Sequence, residues 1–212
     1  MHQPDPNERQ VAPTLEGIRK DHRARYVWAC DYVRGKLVID YGCGVGYGSL
    51  ILTTATPVVK GLDADLDAIV YARQHYSDTG AKFMHFDVTG AGHHGAFGWV
   101  SDVAVAFELI EHLPQPADFL QKIRADTLLV SVPNEHVFPW TPEIAFHHRH
   151  YTPQQFELLL NSCGWQVEEW WAQEGPESVP VRNTQGRTQI AVCSRTERPL
   201  GGTRRNLPPP PP

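Results

Sequence analysis

Short apolar runs alternate along the chain with stretches of helical spacing. The runs are Leu37-Val38-Ile39, Pro57-Val58-Val59-Lys60-Gly61-Leu62, Lys82-Phe83-Met84-His85-Phe86, Asp102-Val-Ala-Val-Ala-Phe107 and Thr127-Leu-Leu-Val-Ser-Val132. Each is compact, rich in apolar residues and bounded by turn formers, as a strand buried on both faces would be. Between them the spacing changes. From Leu15 onward, Ile18, His22, Arg25, Tyr26, Ala29, Tyr32 and Val33 recur at helical intervals until Gly35, which predicts a helix ahead of the first strand. Further helices are predicted from Ser49, over 67–76 and over 115–124. Another starts at Thr152, where Pro153 sits in the first turn and Gln155 can close a capping box; it ends at Gly164. Trp165–Trp171 and Thr188–Ser194 read as two last strands joined by the long polar loop 173–187. This succession predicts an α/β fold with a doubly wound, parallel sheet and right-handed crossovers. Ligands of such sheets bind beyond the carboxyl ends of the strands, where the strand order reverses.

Composition sets outer limits. With 212 residues and 41% hydrophobic content the chain supports one good core, predicted over 14–196. Residues 1–13 are polar with prolines at 4, 6 and 13, and 197–212 end in consecutive prolines from 208; both are expected to be disordered. A net charge of −5 argues against unspecific attachment to nucleic acid. Cys30, Cys43, Cys163 and Cys193 are scattered and form no C-x-x-C pair, which suits reduced thiols in a cytoplasmic protein. The start lacks an apolar signal core, and no apolar run approaches the roughly 18 residues of a membrane helix, so neither export nor a membrane span is expected. Oligomeric state leaves no trace in the sequence.

The chemistry begins at Asp40-Tyr-Gly-Cys-Gly-Val-Gly46, where the first strand runs into glycines. Such a turn lets a nucleotide-like ligand approach the backbone. A dinucleotide fingerprint counted from Gly42 requires glycine where Tyr47 stands, and no P-loop Lys-Ser or Lys-Thr follows. Asp63, at the end of the second strand, lies close to the roughly 20-residue distance of a ribose-binding acid. Capping of the following helix falls more naturally to Asp65. The run Asp-x-Gly-x-Gly-x-Gly resembles the first motif of class I S-adenosylmethionine-dependent methyltransferases. That resemblance implies a Rossmann-like, mostly parallel seven-stranded sheet with an antiparallel C-terminal hairpin, and S-adenosylmethionine as cofactor. It places Asp40, Gly42, Gly44 and Gly46 at the cofactor, Asp63 on the ribose and Asp87, after the third strand, beside the adenine amino group. It also sets the reversal of strand order between strands one and four, so that Gly42 and Glu108 share a crevice. The helix before the first strand would cross the methionine end. There Arg25 and Tyr26, with His22, either supply a cation and a hydroxyl to the carboxylate or form a surface arginine and a packing tyrosine.

Glu108-x-x-Glu111-His112, read as a turn of helix, puts three polar side chains on one face. With a later histidine it resembles the metal-binding set of small-RNA 3′-terminal 2′-O-methyltransferases and the matching segment of ubiquinone-pathway O-methyltransferases. The resemblance implies a divalent ion on Glu108, Glu111, His112 and His148 that would acidify an acceptor hydroxyl. The same segment is widespread in members of the superfamily that need no metal, where the histidine is a base or orders the loop. His148 and His150 are further catalytic candidates from the cluster 147–150. The pair His93-His94 is not taken as a metal site, because adjacent strand histidines point opposite ways. The aromatic, histidine-rich stretch 134–152 is the expected acceptor pocket. The expected reaction is methyl transfer to a hydroxyl of a small molecule. An RNA or other macromolecular acceptor, or cofactor binding without turnover, are the alternatives.

Overall fold

The computed structural model describes residues 10–12, 14–90 and 98–196. His93-His94, the tail 197–212 and most of the 1–13 arm lie outside the described residues. Five parallel strands, β1 (Val38–Tyr41), β2 (Val59–Asp63), β3 (Ala81–His85), β4 (Ser101–Phe107) and β5 (Ala125–Pro133), are followed by β6 (Trp165–Gln173) and β7 (Thr188–Arg195). The sheet order is β3-β2-β1-β4-β5-β7-β6, and β7 runs antiparallel between β5 and β6. The order therefore reverses between β1 and β4, as expected. Helices α1 (Lys20–Val33), α2 (Tyr47–Leu52), α3 (Leu66–Tyr76), α4 (Pro116–Lys122) and α5 (Pro153–Ser162) cover the sheet.

The apolar runs become strands because both faces are buried. Successive residues of β4 and β5 alternate between two cores: Val103, Val105 and Leu129 join α1, α2 and α3 on one side. Ala104, Ala106, Leu128 and Val130 join Phe119, Phe156 and Trp165 on the other. At α5, the Thr152 hydroxyl accepts from Gln155 N and the Gln155 side chain accepts from Thr152 N, closing the expected capping box.

Local departures from the sequence reading have identifiable causes. The helix expected from Leu15 begins only at Lys20, because Arg19 is extended and Leu15–Gly17 close a separate 3₁₀ turn. Gly17 packs so closely on Ala12 that a Cβ would lie 2.7 Å from the alanine methyl. Gln10–Ala12 are thus packed against the domain, with the Ala12 carbonyl accepting from the Tyr71 hydroxyl. Helix α2 stops after two turns, where the Thr53 and Thr54 hydroxyls donate to the Leu50 and Ile51 carbonyls. The most consequential departure lies after β4. Glu108 takes φ 50°, which breaks the backbone direction, and only Ile110–His112 form a 3₁₀ turn. Residues 108, 111 and 112 therefore do not share one helical face: the Glu108 carboxylate turns to Ser131 and Arg25, apart from Glu111 and His112. Among the described residues no helix is long and apolar enough to cross a membrane, and no disulfide joins the cysteines.

Candidate cofactor and acceptor site

The glycines of the β1–α2 turn do different work. Gly42, Gly44 and Gly46 have φ of 71°, 54° and 90°, a region costly for any residue with a Cβ. At Gly46 the reason is packing, since a Cβ would meet Ala72 and the Phe83 ring at 2.8 Å. At Gly44 nothing lies within 4 Å of that position, which is open space. Gly44 N donates to Asp63 Oδ2 at 2.7 Å, and Asp65 N donates to Asp63 Oδ1 at 2.9 Å. Two backbone amides thus fix the Asp63 carboxylate at the end of β2. Asp65 caps α3 by accepting from Asp67 N and Ala68 N, as the sequence suggested.

Asp40 is placed differently from the expectation. It is 0% exposed, sits beneath the turn and accepts from the Tyr26 hydroxyl at 3.1 Å and the Ser49 hydroxyl at 2.7 Å. It lines neither of the cavities described below, so its role is to brace the turn from inside. The Tyr26 hydroxyl is spent on Asp40 and is not offered to a ligand carboxylate. The Tyr26 ring lies flat against Gly48, where a Cβ would fall 2.1 Å from Cζ. Burial pushes the Asp40 carboxyl up to about 7, against the two hydrogen bonds that favour its charged form. The folded state then keeps this proton while the unfolded chain loses it near pH 4. Stability from this group accordingly falls as pH rises from about 4 to about 7. Urea denaturation of Asp40→Asn across that range is expected to show a flatter pH dependence than the parent protein.

Two cavities open beyond the carboxyl ends of the strands, of about 500 Å³ and about 300 Å³. The larger is lined by Asp63, Asp65, Phe86, Asp87 and Leu109, and the smaller by Arg25, Tyr26, Glu111, Phe138, His147 and Arg187. They share Gly42, Gly44, Glu108 and His112, so Gly42 and Glu108 do face one crevice. Asp87 stands exposed at its rim, with Oδ1 accepting from Thr89 N and Oγ1. Gly46 lines neither cavity.

Arg25 is 2% exposed and held at three points. Its Nε donates to Gln173 Oε1 at 2.7 Å, and Nη1 reaches Ser131 Oγ and Glu108 Oε1, each at 3.3 Å. Ser131 Oγ in turn donates to Glu108 Oε1 at 2.8 Å. The Gln173 amide donates to the Asp21 and Ser178 carbonyls. Gln173 and Ser131 carried no motif in the sequence; both stand at or near strand ends and are recruited through tertiary pairing. Nearby, His22 Nδ1 lies 3.0 Å from the Tyr47 hydroxyl. Burial, reinforced by the Arg25 charge, pulls its pKa down to about 4.

The histidine assignments change most. His148 is exposed and contributes only its backbone, donating to the Glu111 carbonyl at 2.8 Å. His147 takes the place expected for it: ligand atoms of Glu111, His112 and His147 lie within 4.8 Å of one another. Glu108 is not part of that cluster, its Oε1 being engaged by Ser131 and Arg25. His150 is buried away from both cavities. Its Nδ1 lies 2.7 Å from the Phe138 carbonyl and its Nε2 2.8 Å from His147 Nδ1. A carbonyl only accepts, so His150 carries its proton on Nδ1 and accepts at Nε2 from His147 Nδ1–H. That leaves Nε2 as the lone-pair nitrogen of His147. By the same logic His112 donates from Nδ1 to the Phe146 carbonyl at 3.0 Å and keeps its lone pair on Nε2. Phe146 holds a φ of 69°. Burial, then the neighbouring His112 and His150, lower the His147 pKa to about 4. Glu111 is 0% exposed, neither carboxylate oxygen has a hydrogen-bond partner among the described residues, and burial followed by the Glu108 charge raises its pKa well above the usual range.

Residues 24–170 match the family model described as "Methyltransferase domain". A ubiquinone biosynthesis O-methyltransferase of Vibrio vulnificus strain YJ016 is 35% identical over 108 residues, which is 51% of this chain and 44% of that protein. The chain thus spans about half the length of the curated relatives it matches. Among solved structures, a small RNA methyltransferase superposes with a TM-score of 0.67 at 19% identity, covering 91% of this chain and 27% of that one. A magnesium protoporphyrin IX methyltransferase from Synechocystis PCC 6803, solved with bound S-adenosylhomocysteine, gives 0.60 at 17%, covering 89% and 91%. At such identities these structures speak for the fold alone.

Proposed function

Given that the chain belongs to the class I S-adenosylmethionine-dependent methyltransferases, we propose that it moves the methyl group to a hydroxyl of a small-molecule acceptor, with Glu111, His112 and His147 holding a divalent ion at the acceptor. The observation that carries the reading is the Glu111 carboxylate. A buried carboxyl group with no donor costs about 1–3 kcal/mol or more to maintain, and a cation beside two imidazole lone pairs would satisfy it. One carboxylate and two neutral imidazoles form a donor set suited to first-row divalent metals. Such an ion would lower the pKa of a bound hydroxyl and fix its oxygen in line with the methyl.

The alternative role for His147, direct general base, fits its surroundings poorly. A base works best with a pKa near the working pH, and burial has brought this one to about 4. A metal ligand, by contrast, must be neutral, and the His150 relay already fixes the required tautomer. On the cofactor side, Asp63 and Asp87 line the larger cavity, Asp63 being assigned to the ribose hydroxyls and Asp87 to the adenine amino group. Arg25 Nη2, the part of the guanidinium for which no partner stands among the described residues, is assigned to the methionine carboxylate. The similarity to ubiquinone-pathway O-methyltransferases supports oxygen as the accepting atom. The chain's net charge of −5 supports a small acceptor over a nucleic acid.

Two measurements bear on these assignments. Calorimetry with S-adenosylhomocysteine is expected to show Asp63→Ala weaker by about 1–3 kcal/mol, the loss of charged hydrogen bonds. Unchanged affinity would remove Asp63 from the cofactor. Electron paramagnetic resonance of added Mn²⁺ should show one bound ion in the parent protein and in His148→Ala, and none in His147→Ala. The reverse pattern would restore the assignment read from the sequence.

A further inference from the structure

Arg187 stands apart from the other arginines of the smaller cavity. Arg19 is bonded through Nε to Asp21 at 3.1 Å, and Arg25 is held by Glu108, Ser131 and Gln173. Arg187 lines the same cavity, is exposed, and its guanidinium carbon lies 3.6 Å over the centre of the Phe138 ring. Among the described residues that guanidinium makes no hydrogen bond or ion pair. A guanidinium carbon this close over a ring face leaves the N–H groups free of the ring to bond a ligand, the arrangement in which arginine recognises a planar or tetrahedral oxyanion.

Both halves of the stack are fixed by the backbone. Asn134 N donates to the Arg187 carbonyl at 2.8 Å, and the Asn134 amide donates to the Thr184 and Gly186 carbonyls. Gly186 lies so close to Gln173 that a Cβ would come within 2.5 Å of its carbonyl oxygen. Phe138 N donates to the Asn134 carbonyl, and the Phe138 carbonyl accepts from His150. A preformed arginine loses less freedom on binding, which raises its worth to a ligand. The same cavity carries the carboxylates Glu108, Glu111 and Asp21. Arg19 is paired there with Asp21, and Arg25 with Glu108 and, under the proposed function, with the methionine carboxylate, so a further anionic ligand needs another cation, which Arg187 supplies.

We propose that Arg187, stacked on Phe138, is a specificity residue for the acceptor, so that the acceptor is a small molecule bearing a carboxylate or phosphate group besides its hydroxyl. This rests on the reading of the cavity as the acceptor site of a methyltransferase. The test is calorimetry on the full chain saturated with S-adenosylhomocysteine, using benzoate, phenyl phosphate and phenol as probes. At least one oxyanion is expected to bind about 10- to 100-fold more tightly than phenol, as a charge-assisted hydrogen bond would give. The better of the two tells carboxylate from phosphate. Arg187→Gln is expected to erase the preference, and Arg187→Lys to keep part of it. Equal binding of phenol, no binding of either oxyanion, or an undiminished preference in Arg187→Gln would each overturn the proposal. So would a short RNA oligonucleotide whose binding alone is lost in Arg187→Gln. Failure of the parent protein to bind S-adenosylhomocysteine would instead strike the methyltransferase reading itself.

Discussion

Replacing Arg25 with methionine is expected to destabilise the protein by about 3 kcal/mol in urea denaturation and to abolish measurable binding of S-adenosylhomocysteine. The side chain is 3% exposed and joins α1 to β5 and β6 through Ser131 and Gln173. Without it Gln173 Oε1 loses its donor and Glu108 its counter-charge. The size sits at the lower end of the range for broken buried pairs because Glu108 is 25% exposed and water can take over part of its solvation. Arg25→Lys should fall between the two. It keeps the charge and loses the fork that reaches Gln173 and Glu108 together. A methionine variant as stable as the parent protein would show that the network is incidental to the fold.

Glu111→Leu is expected to move stability and activity in opposite directions. In chelator the variant should be more stable by about 1–3 kcal/mol, since it removes a buried carboxyl group with no hydrogen-bond partner among the described residues. Turnover, followed as S-adenosylhomocysteine formation, should fall by about 100-fold or more, because the anionic member of the cluster is gone. A residue with only a packing role would not separate the two measurements. Loss of both together would mean that Glu111 supports the fold, and the site would have to be redrawn.

Features fixed by local chemistry were legible in the sequence. Apolar runs became strands because both sheet faces are covered, and Thr152 and Asp65 cap helices by interactions within three residues. The strand order, its reversal and the closing hairpin followed from the family resemblance. Other features depend on contacts distant in sequence. Nothing in Glu108-x-x-Glu111-His112 announces that Glu108 takes φ 50° so that its carboxylate meets Ser131 and Arg25. The choice between adjacent His147 and His148 is made by the path of the loop, through the His150 relay and the Phe138 carbonyl. Asp40 is an exception, for its orientation was open to deduction. Ile39 and Tyr41 share one core, so strand alternation turns Asp40 to the opposite face, toward Tyr26 and Ser49.

In the proposed function the two cavities meeting at Gly42, Gly44, Glu108 and His112 join a methyl donor to a hydroxyl acceptor. It is tested most directly by supplying the protein with S-adenosylmethionine and a panel of phenols, catechols and amines of matched skeleton, and locating the transferred methyl by mass spectrometry. Methylation is expected on oxygen, lost in chelator and in Glu111→Leu. Methylation confined to nitrogen or carbon, or oxygen methylation that survives both treatments undiminished, would contradict it.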